Sequence, residues 1–105
     1  MKDYERLGLF CKEVKGYEEV IGEIDVFYMN PVRRGRDAAT EKKFVLDLEK
    51  LKGAKKGAIV LHPLPRTDEL PEEVDDTPHA RYFVESRNGV AMRMALLSYI
   101  FDLKV

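Results

Sequence analysis

The chain has 105 residues, which is enough for one domain with one modest core. Lys and Arg number 18 against 19 for Asp and Glu, so the net charge is −1 and the basic excess of a non-specific nucleic-acid binder is missing. Apolar residues make up 45% of the chain, which argues against disorder. No apolar run approaches the roughly 18 residues of a membrane span. We therefore expect neither nucleic acid nor a membrane as a partner.

The cysteine content and the N-terminus bear on the cellular compartment. A single cysteine, Cys11, excludes an internal disulfide and is typical of a cytoplasmic protein. The first residues, Met1 to Arg6, lack the apolar stretch of a secretion signal. Heavy use of Lys and Glu fits a protein adapted to heat. We predict a cytoplasmic protein with a single domain over residues 1–105.

The first third of the chain predicts two strands separated by a helical turn. Residues 9–14 alternate partly between apolar and polar side chains, which predicts a strand. Residues 17–21 carry apolar side chains at helical spacing. Residues 24–29 are nearly continuous in apolar side chains, which predicts a strand covered on both faces. Asn30 and Pro31 end that strand.

The remainder predicts two helices and a further strand. Thr40 is the predicted N-cap of a helix that ends before Gly53. Residues 58–61 form a short apolar run typical of a buried strand. The Asn88–Gly89 pair predicts a turn, and residues 90–102 follow it as a long amphipathic helix.

The alternation of strands and helices predicts an α/β fold with a mainly parallel sheet. We expect a small three-layer (αβα) arrangement, a partial Rossmann-like domain of three to four strands with a long C-terminal helix. Ligands of such sheets bind outside the carboxyl ends of the strands. The loops at 30–37 and 62–66 follow two predicted strands, so a functional site is expected there.

The loop His62-Pro63-Leu64-Pro65-Arg66 is the most distinctive segment. Its two prolines fix φ and remove two N–H donors, which leaves the carbonyls of Pro63 and Leu64 with few local partners. Such carbonyls can accept hydrogen bonds from a ligand amine or amide. The alternative is a stiff connection that binds nothing.

Four arginines are candidates for binding an anion. Arg33, Arg34 and Arg36 follow the second predicted strand, and clustered guanidinium groups can hold a carboxylate or phosphate. The alternative is a solvated basic loop. Arg93 falls on the apolar arc of the last helix, where an arginine needs an anionic partner. That partner is either a structural carboxylate or a carboxylate of a ligand or another domain. The arc consists of Val90, Met94, Leu96, Leu97, Ile100 and Phe101.

No metal or cofactor is expected. The acidic residues between positions 68 and 76 match no calcium-loop spacing, and a solvated face is the simplest interpretation. His62, His79 and Cys11 lie too far apart in sequence to suggest a zinc site.

Three segments together resemble the C-terminal part of catalytic chains of the aspartate/ornithine carbamoyltransferase family, and the resemblance covers nearly the whole chain. They are His62-Pro63-Leu64-Pro65-Arg66-x-Asp68-Glu69, Val74-Asp75-x-Thr77-Pro78-His79-Ala80-x-Tyr82-Phe83 and Asn88-Gly89-x-x-x-Arg93-x-Ala95-Leu96-Leu97. The resemblance implies part of an aspartate-binding domain from pyrimidine biosynthesis. The family's Ser-Thr-Arg-Thr phosphate cradle is absent from this sequence. No catalytic residues, and no turnover, are therefore expected of this chain in isolation.

The resemblance also implies roles for single residues. His62, Pro63 and Leu64 fall on the family's substrate-binding loop, where the proline and leucine carbonyls contact the carbamoyl group and the amine. Arg36 and Arg93 match arginines near the domain interface, and Arg66 is also expected to have an interdomain or interface role. The family has an arginine and a glutamine that hold aspartate where this chain has Pro31 and Arg33. Proline cannot replace a guanidinium, so Arg33 or Arg34 is expected to compensate as a substrate-binding residue.

The apolar arc of the last helix predicts a partner. In the family this helix packs toward the carbamoyl phosphate domain, and without that domain a large apolar patch is left exposed. We expect a homo-oligomer with exchanged helices or a complex with a chain that carries the carbamoyl phosphate domain. The alternative function is a non-catalytic remnant or fragment that acts as an oligomerisation or small-anion-binding module. The expected ligand is an amino acid or a small anion.

Overall fold

A two-stranded parallel sheet organises the chain. The computed structural model describes residues 6–31 and 44–103. Strand β1, Val26–Tyr28, pairs in parallel with strand β2, Ile59–Leu61. Val60 of β2 also bridges in parallel to Ala80, which brings a third segment to the far side of β2. The α/β class and the parallel sheet predicted from the sequence are confirmed in the described part of the chain.

Two α-helices accompany the sheet in the described residues. Helix α1, Leu48–Leu51, is a single turn, and its N-cap Asp47 accepts the backbone N–H of Lys50 at 2.9 Å. Helix α2, Tyr82–Ile100, is the predicted long C-terminal helix. Three short 3₁₀ turns complete the described elements, at Tyr17–Glu19, Ile21–Glu23 and Glu72–Val74. No helix in the described ranges is long and apolar enough to cross a lipid bilayer.

Three local predictions are wrong. Residues 9–14 form no strand, and Phe10 is 91% exposed, because no described strand lies beside them and an unpaired strand is not stable. The helix predicted from Thr40 begins at Leu48, after residues 44–47, and Thr40 itself lies outside the described residues. The Asn88–Gly89 pair lies within α2 and makes no turn, because helix-forming residues flank it and no strand pair exists for it to join.

The core lies on one face of the sheet. In β1 only Phe27 is buried, whereas Val26 and Tyr28 are 50% and 56% exposed. The prediction that this strand is covered on both faces is therefore wrong. Val26 and Tyr28 pair with Ile59 and Leu61 of β2, and on this face of the sheet the two β2 residues line an open apolar cleft beside α2. The buried apolar cluster consists of Phe27, Met29, Leu46, Leu51, Ala58, Val60, Leu70, Val74 and Tyr82.

Helix α2 buries only its beginning. Tyr82 is fully buried, but the large apolar side chains along the rest of the helix are half or more exposed. Those belonging to the predicted arc are Val90, Met94, Leu96, Leu97, Ile100 and Phe101. The exposed arc agrees with the expectation that this helix is left uncovered, as far as residues 6–31 and 44–103 show.

Candidate functional site

His62 is the centre of a hydrogen-bond network at the carboxyl end of β2. Its side chain is fully buried, and its ring Nε2 lies 2.8 Å from a carboxylate oxygen of Glu69. The ring Nδ1 accepts the backbone N–H of Leu64 at 2.8 Å. Because Nδ1 accepts, the ring proton is on Nε2, which donates it to Glu69. The imidazole thereby connects the main chain of Leu64, in the middle of the loop, to Glu69, which follows the loop.

Glu69 completes this network from below the loop. It is 2% exposed, and it accepts the Thr67 backbone N–H at 2.8 Å and the Thr67 hydroxyl. Burial alone would raise the pKa of Glu69, but the hydrogen bonds from Thr67, from its own backbone and from His62 outweigh it and lower the pKa to about 2. Glu69 is thus a buried structural anion, and its assignment to a solvated acidic face is wrong because His62, Thr67 and its own backbone donate to it.

The network fixes an unusual backbone at Leu64. Its φ is +51°, in the left-handed region that costs a residue with a side chain about 1 kcal/mol. The peptide bond to Pro65 is cis. The hydrogen bond from the Leu64 N–H to His62 holds this conformation. No described residue donates a hydrogen bond to the carbonyls of Pro63 or Leu64. Within the described part of the chain the two carbonyls thus lack a donor, as the proline chemistry predicts.

A cleft of about 260 Å³ opens where the two strands end. Its lining consists of Tyr28, His62, Pro63, Glu85, Ser86, Gly89 and Arg93. The structure thus brings predicted substrate-binding residues, His62 and Pro63, together with the predicted interface residue Arg93. Leu64 does not line the cleft and packs half-buried against the core. Arg33, Arg34 and Arg36 lie outside the described residues.

Arg93 presents an exposed guanidinium to this cleft. No described carboxylate lies within ion-pair distance of it, so the structural carboxylate expected as one alternative is not found in the described ranges. Gly89, one turn earlier, makes room for it, because a Cβ there would lie 3.1 Å from Arg93 Nη1. The guanidinium is therefore available to an anion that enters the cleft.

Arg66 is engaged within the chain. It forms a two-point ion pair with Asp75, whose second contact joins Nη2 to Oδ2 at 2.8 Å. The Tyr82 hydroxyl donates to the same carboxylate. These contacts raise the pKa of Arg66, chiefly through the hydrogen bond to Asp75, and lower the pKa of Asp75. The Arg66 guanidinium therefore has a partner within the described residues, Asp75. An interface role for Arg66 stays a prediction.

Four residues of the cleft were not predicted from the sequence: Tyr28, Glu85, Ser86 and Gly89. A signal for two of them was present. Glu85, Gly89 and Arg93 are spaced four apart, which places them on one face of a helix once α2 is known to start at Tyr82. This spacing was not recognised because a turn was predicted at Asn88–Gly89. No group of three or more metal-ligating side chains occurs within the described ranges.

A parallel sheet with a polar cleft at the carboxyl ends of its strands is the arrangement in which α/β domains place their ligand sites. The family model for aspartate/ornithine carbamoyltransferase, Asp/Orn binding domain, matches residues 2–100. The chain belongs to this family, through its Asp/Orn binding domain.

Similar proteins agree with this assignment. The aspartate carbamoyltransferase catalytic subunit of Thermofilum pendens is 46% identical over 99 residues, which cover 89% of this chain and 31% of that protein. The same subunit of Chromobacterium violaceum is 42% identical over 106 residues, covering 96% of this chain and 35% of that one. Ligand-free aspartate transcarbamoylase of Trypanosoma cruzi matches with a TM-score of 0.82 and 33% identity, over 91% of this chain and 32% of that structure. The chain thus spans about a third of the length of these relatives.

Proposed function

We propose that the chain supplies the amino-acid-binding half of a carbamoyltransferase site. The observation that carries the proposal is the cleft lined by both Pro63, whose carbonyl accepts no hydrogen bond from a described residue, and Arg93, which forms no ion pair with a described carboxylate. A carbonyl accepts from an amine, and a guanidinium binds a carboxylate. An α-amino acid carries both groups. A similar structure from Trypanosoma cruzi holds carbamoyl phosphate and aspartate, which supports an amino-acid ligand.

The reaction assigned to the assembled site is attack of an amino-acid amine on the carbamoyl carbonyl, with phosphate as the leaving group. Such a step depends on positioning the two substrates and stabilising the oxyanion that forms. The described residues supply contacts for the amino acid. No serine- and arginine-rich phosphate cradle occurs in the sequence, so a second polypeptide segment has to provide it.

The binding half of the proposal is tested by titrating the ¹⁵N-labelled chain with L-aspartate and following the amide NMR shifts. We expect saturable shifts at His62 and around Arg93. Arg93→Gln should weaken binding about tenfold or more, since a charge-assisted hydrogen bond contributes about 1.5 to 3 kcal/mol. Arg87→Gln, an exposed arginine of the same helix outside the cleft, should leave the affinity unchanged. Flat spectra for the wild-type chain at high millimolar aspartate would refute an amino-acid half-site.

Turnover is tested by adding a separately expressed carbamoyl phosphate domain. The chain alone should form no carbamoyl aspartate above the uncatalysed rate, whereas the mixture should. Product formation by the purified chain alone, or none by the mixture, would contradict the division of the site between two chains.

A second function, association through α2, is favoured by the exposed apolar arc. A contiguous apolar surface of this kind usually marks an interface. We propose that it packs against a chain carrying the carbamoyl phosphate domain, or against a second copy of this chain when that domain is absent. The relatives are named as catalytic subunits, which fits a protein that assembles.

If the chain self-associates when no partner is present, its apparent molecular mass in solution should rise with protein concentration. Sedimentation velocity should show dimers or larger species of the wild-type chain that disappear in Leu97→Lys, because a charge in an apolar interface is poorly tolerated. Ala91→Lys adds the same charge at an exposed position outside the arc and should leave assembly intact. A wild-type chain that stays monomeric at all concentrations would exclude self-association.

A further inference from the structure

Glu85 stands out among the described residues that line the cleft, because it carries a negative charge and also contacts the loop. It lies in the first turn of α2. Its Oε2 accepts the backbone N–H of His62 at 2.9 Å, so it ties the helix to the carboxyl end of β2. No described residue donates a hydrogen bond to its Oε1. One carboxylate oxygen is thus used by the fold and the other is open.

A negative side chain, Glu85, and a positive side chain, Arg93, line the cleft from the same face of α2. Glu85 and Arg93 are eight residues apart, about two turns or roughly 12 Å along the axis. That is the separation of the two backbones: Gly89, midway between them, has no side chain, and the Arg93 guanidinium lies against it, one turn from Glu85. A molecule with a cationic group at one end and an anionic group at the other can therefore meet an opposite charge at each end. A simple dianion would meet repulsion at Glu85.

We propose that Glu85 is the residue that selects ligands bearing an amino group: its Oε2 positions the His62–Pro63 backbone while its Oε1 accepts from the ligand's ammonium group. Arg93 then receives a ligand carboxylate. The inference rests on the proposed amino-acid half-site and deepens it, since it assigns the recognition of the amine to a side chain. A carboxylate binds an ammonium group more strongly than a neutral amide oxygen does. The charge of Glu85, and not only its shape, should therefore matter.

Two substitutions separate the positioning contact from the charge. In Glu85→Gln the amide oxygen can still accept the His62 N–H, but the negative charge is gone. In Glu85→Ala both are lost. Amide hydrogen exchange should find His62 protected in the wild-type chain and in Glu85→Gln, and exchanging about tenfold faster or more in Glu85→Ala. Unchanged protection of His62 in Glu85→Ala would overturn the positioning role, whether or not a ligand binds.

The selection of an amino group is tested with two ligands that differ only in that group. The full chain is titrated with L-aspartate and with succinate, which keeps both carboxylates but has no amine. Glu85→Gln should weaken L-aspartate binding about tenfold and leave succinate unchanged or tighter. Glu23→Gln removes the same charge at an exposed position outside the cleft and serves as the control.

The outcomes distinguish this inference from the proposed function. If the wild-type chain binds both ligands and Glu85→Gln weakens the binding of both equally, the charge of Glu85 does not select for an amino group. The inference then fails while the proposed function stands. If the wild-type chain binds neither ligand, the amino-acid half-site fails and the selection of an amino group falls with it. A loss confined to L-aspartate, with His62 still protected, is the expected result.

Discussion

Replacing Glu69 with glutamine is expected to lower the free energy of unfolding by about 3 kcal/mol at pH 7. The carboxylate is buried beneath the loop and accepts hydrogen bonds from the His62 ring and from Thr67. Glutamine offers one acceptor oxygen, and its NH₂ group has to face a donor at the other position. Urea unfolding followed by tyrosine fluorescence measures the difference. Asp68→Asn, at the exposed neighbouring position, should change stability by less than about 0.5 kcal/mol.

The same carboxylate makes the stability of the chain depend on acid. Its pKa is about 2 when folded against an ordinary value of 4.5, so the folded state favours the ionised form. The contribution is therefore complete above pH 4.5 and is lost as the pH falls toward 2. A pKa change of this size contributes roughly 3 kcal/mol. Glu69→Gln should lose stability less steeply than the wild-type chain over this pH range. Parallel acid profiles for the two proteins would show that Glu69 is not the titrating group.

Leu46→Ala should destabilise the chain by about 3 kcal/mol. Its side chain is fully buried in the core just before α1, although neither the turn nor the sheet includes it. The substitution leaves a cavity that the sheet cannot fill by moving, since a strand displaced by an ångström would lose its pairing. The backbone hydrogen bond from Leu46 to the Glu69 carbonyl is unaffected by the change, so the loss reports packing alone.

Leu48→Ala is the matched control for this core substitution. Leu48 is 39% exposed in the first turn of α1, and alanine is at least as good a helix former. We expect a loss below about 1 kcal/mol, measured by the same urea transition. Equal losses at the two positions would mean that the segment before α1 is not packed into the core. A small domain has only a few kcal/mol of net stability, so the Leu46 variant should be close to unfolding.

Local sequence patterns predicted the central part of the fold well. The apolar run before His62 is β2, and the run that ends at Met29 contains β1, because a short continuous apolar segment has few alternatives to a strand. The exposed face of β1 could not be predicted. An apolar run shows that a segment is suited to burial, but what covers it lies elsewhere in the chain or outside it. For the same reason the exposed arc of α2 was predicted only after the resemblance indicated a missing domain.

In the loop after β2, features set by covalent geometry could be predicted from the sequence, whereas features set by tertiary contacts could not. Proline chemistry was enough to predict the free carbonyls at Pro63 and Leu64. The burial of Glu69 was not predictable, because its partners are a ring and a hydroxyl brought to it by the turn of the loop. Glu85 was missed because the Asn88–Gly89 pair predicted a turn where α2 continues. Because the predicted helix began at residue 90 and not at Tyr82, the helix face that lines the cleft could not be identified from the sequence.

The left-handed backbone at Leu64 limits how this loop can vary during evolution. Glycine and asparagine adopt such a φ readily, whereas valine, isoleucine and threonine are strongly disfavoured there. The residue is thus restricted by the path of the main chain even though its side chain does not reach the cleft. A descendant that had lost all affinity for substrate would remain under the same restriction. The identity of this residue therefore carries little information about ligand binding, which has to be judged from residues whose side chains line the cleft.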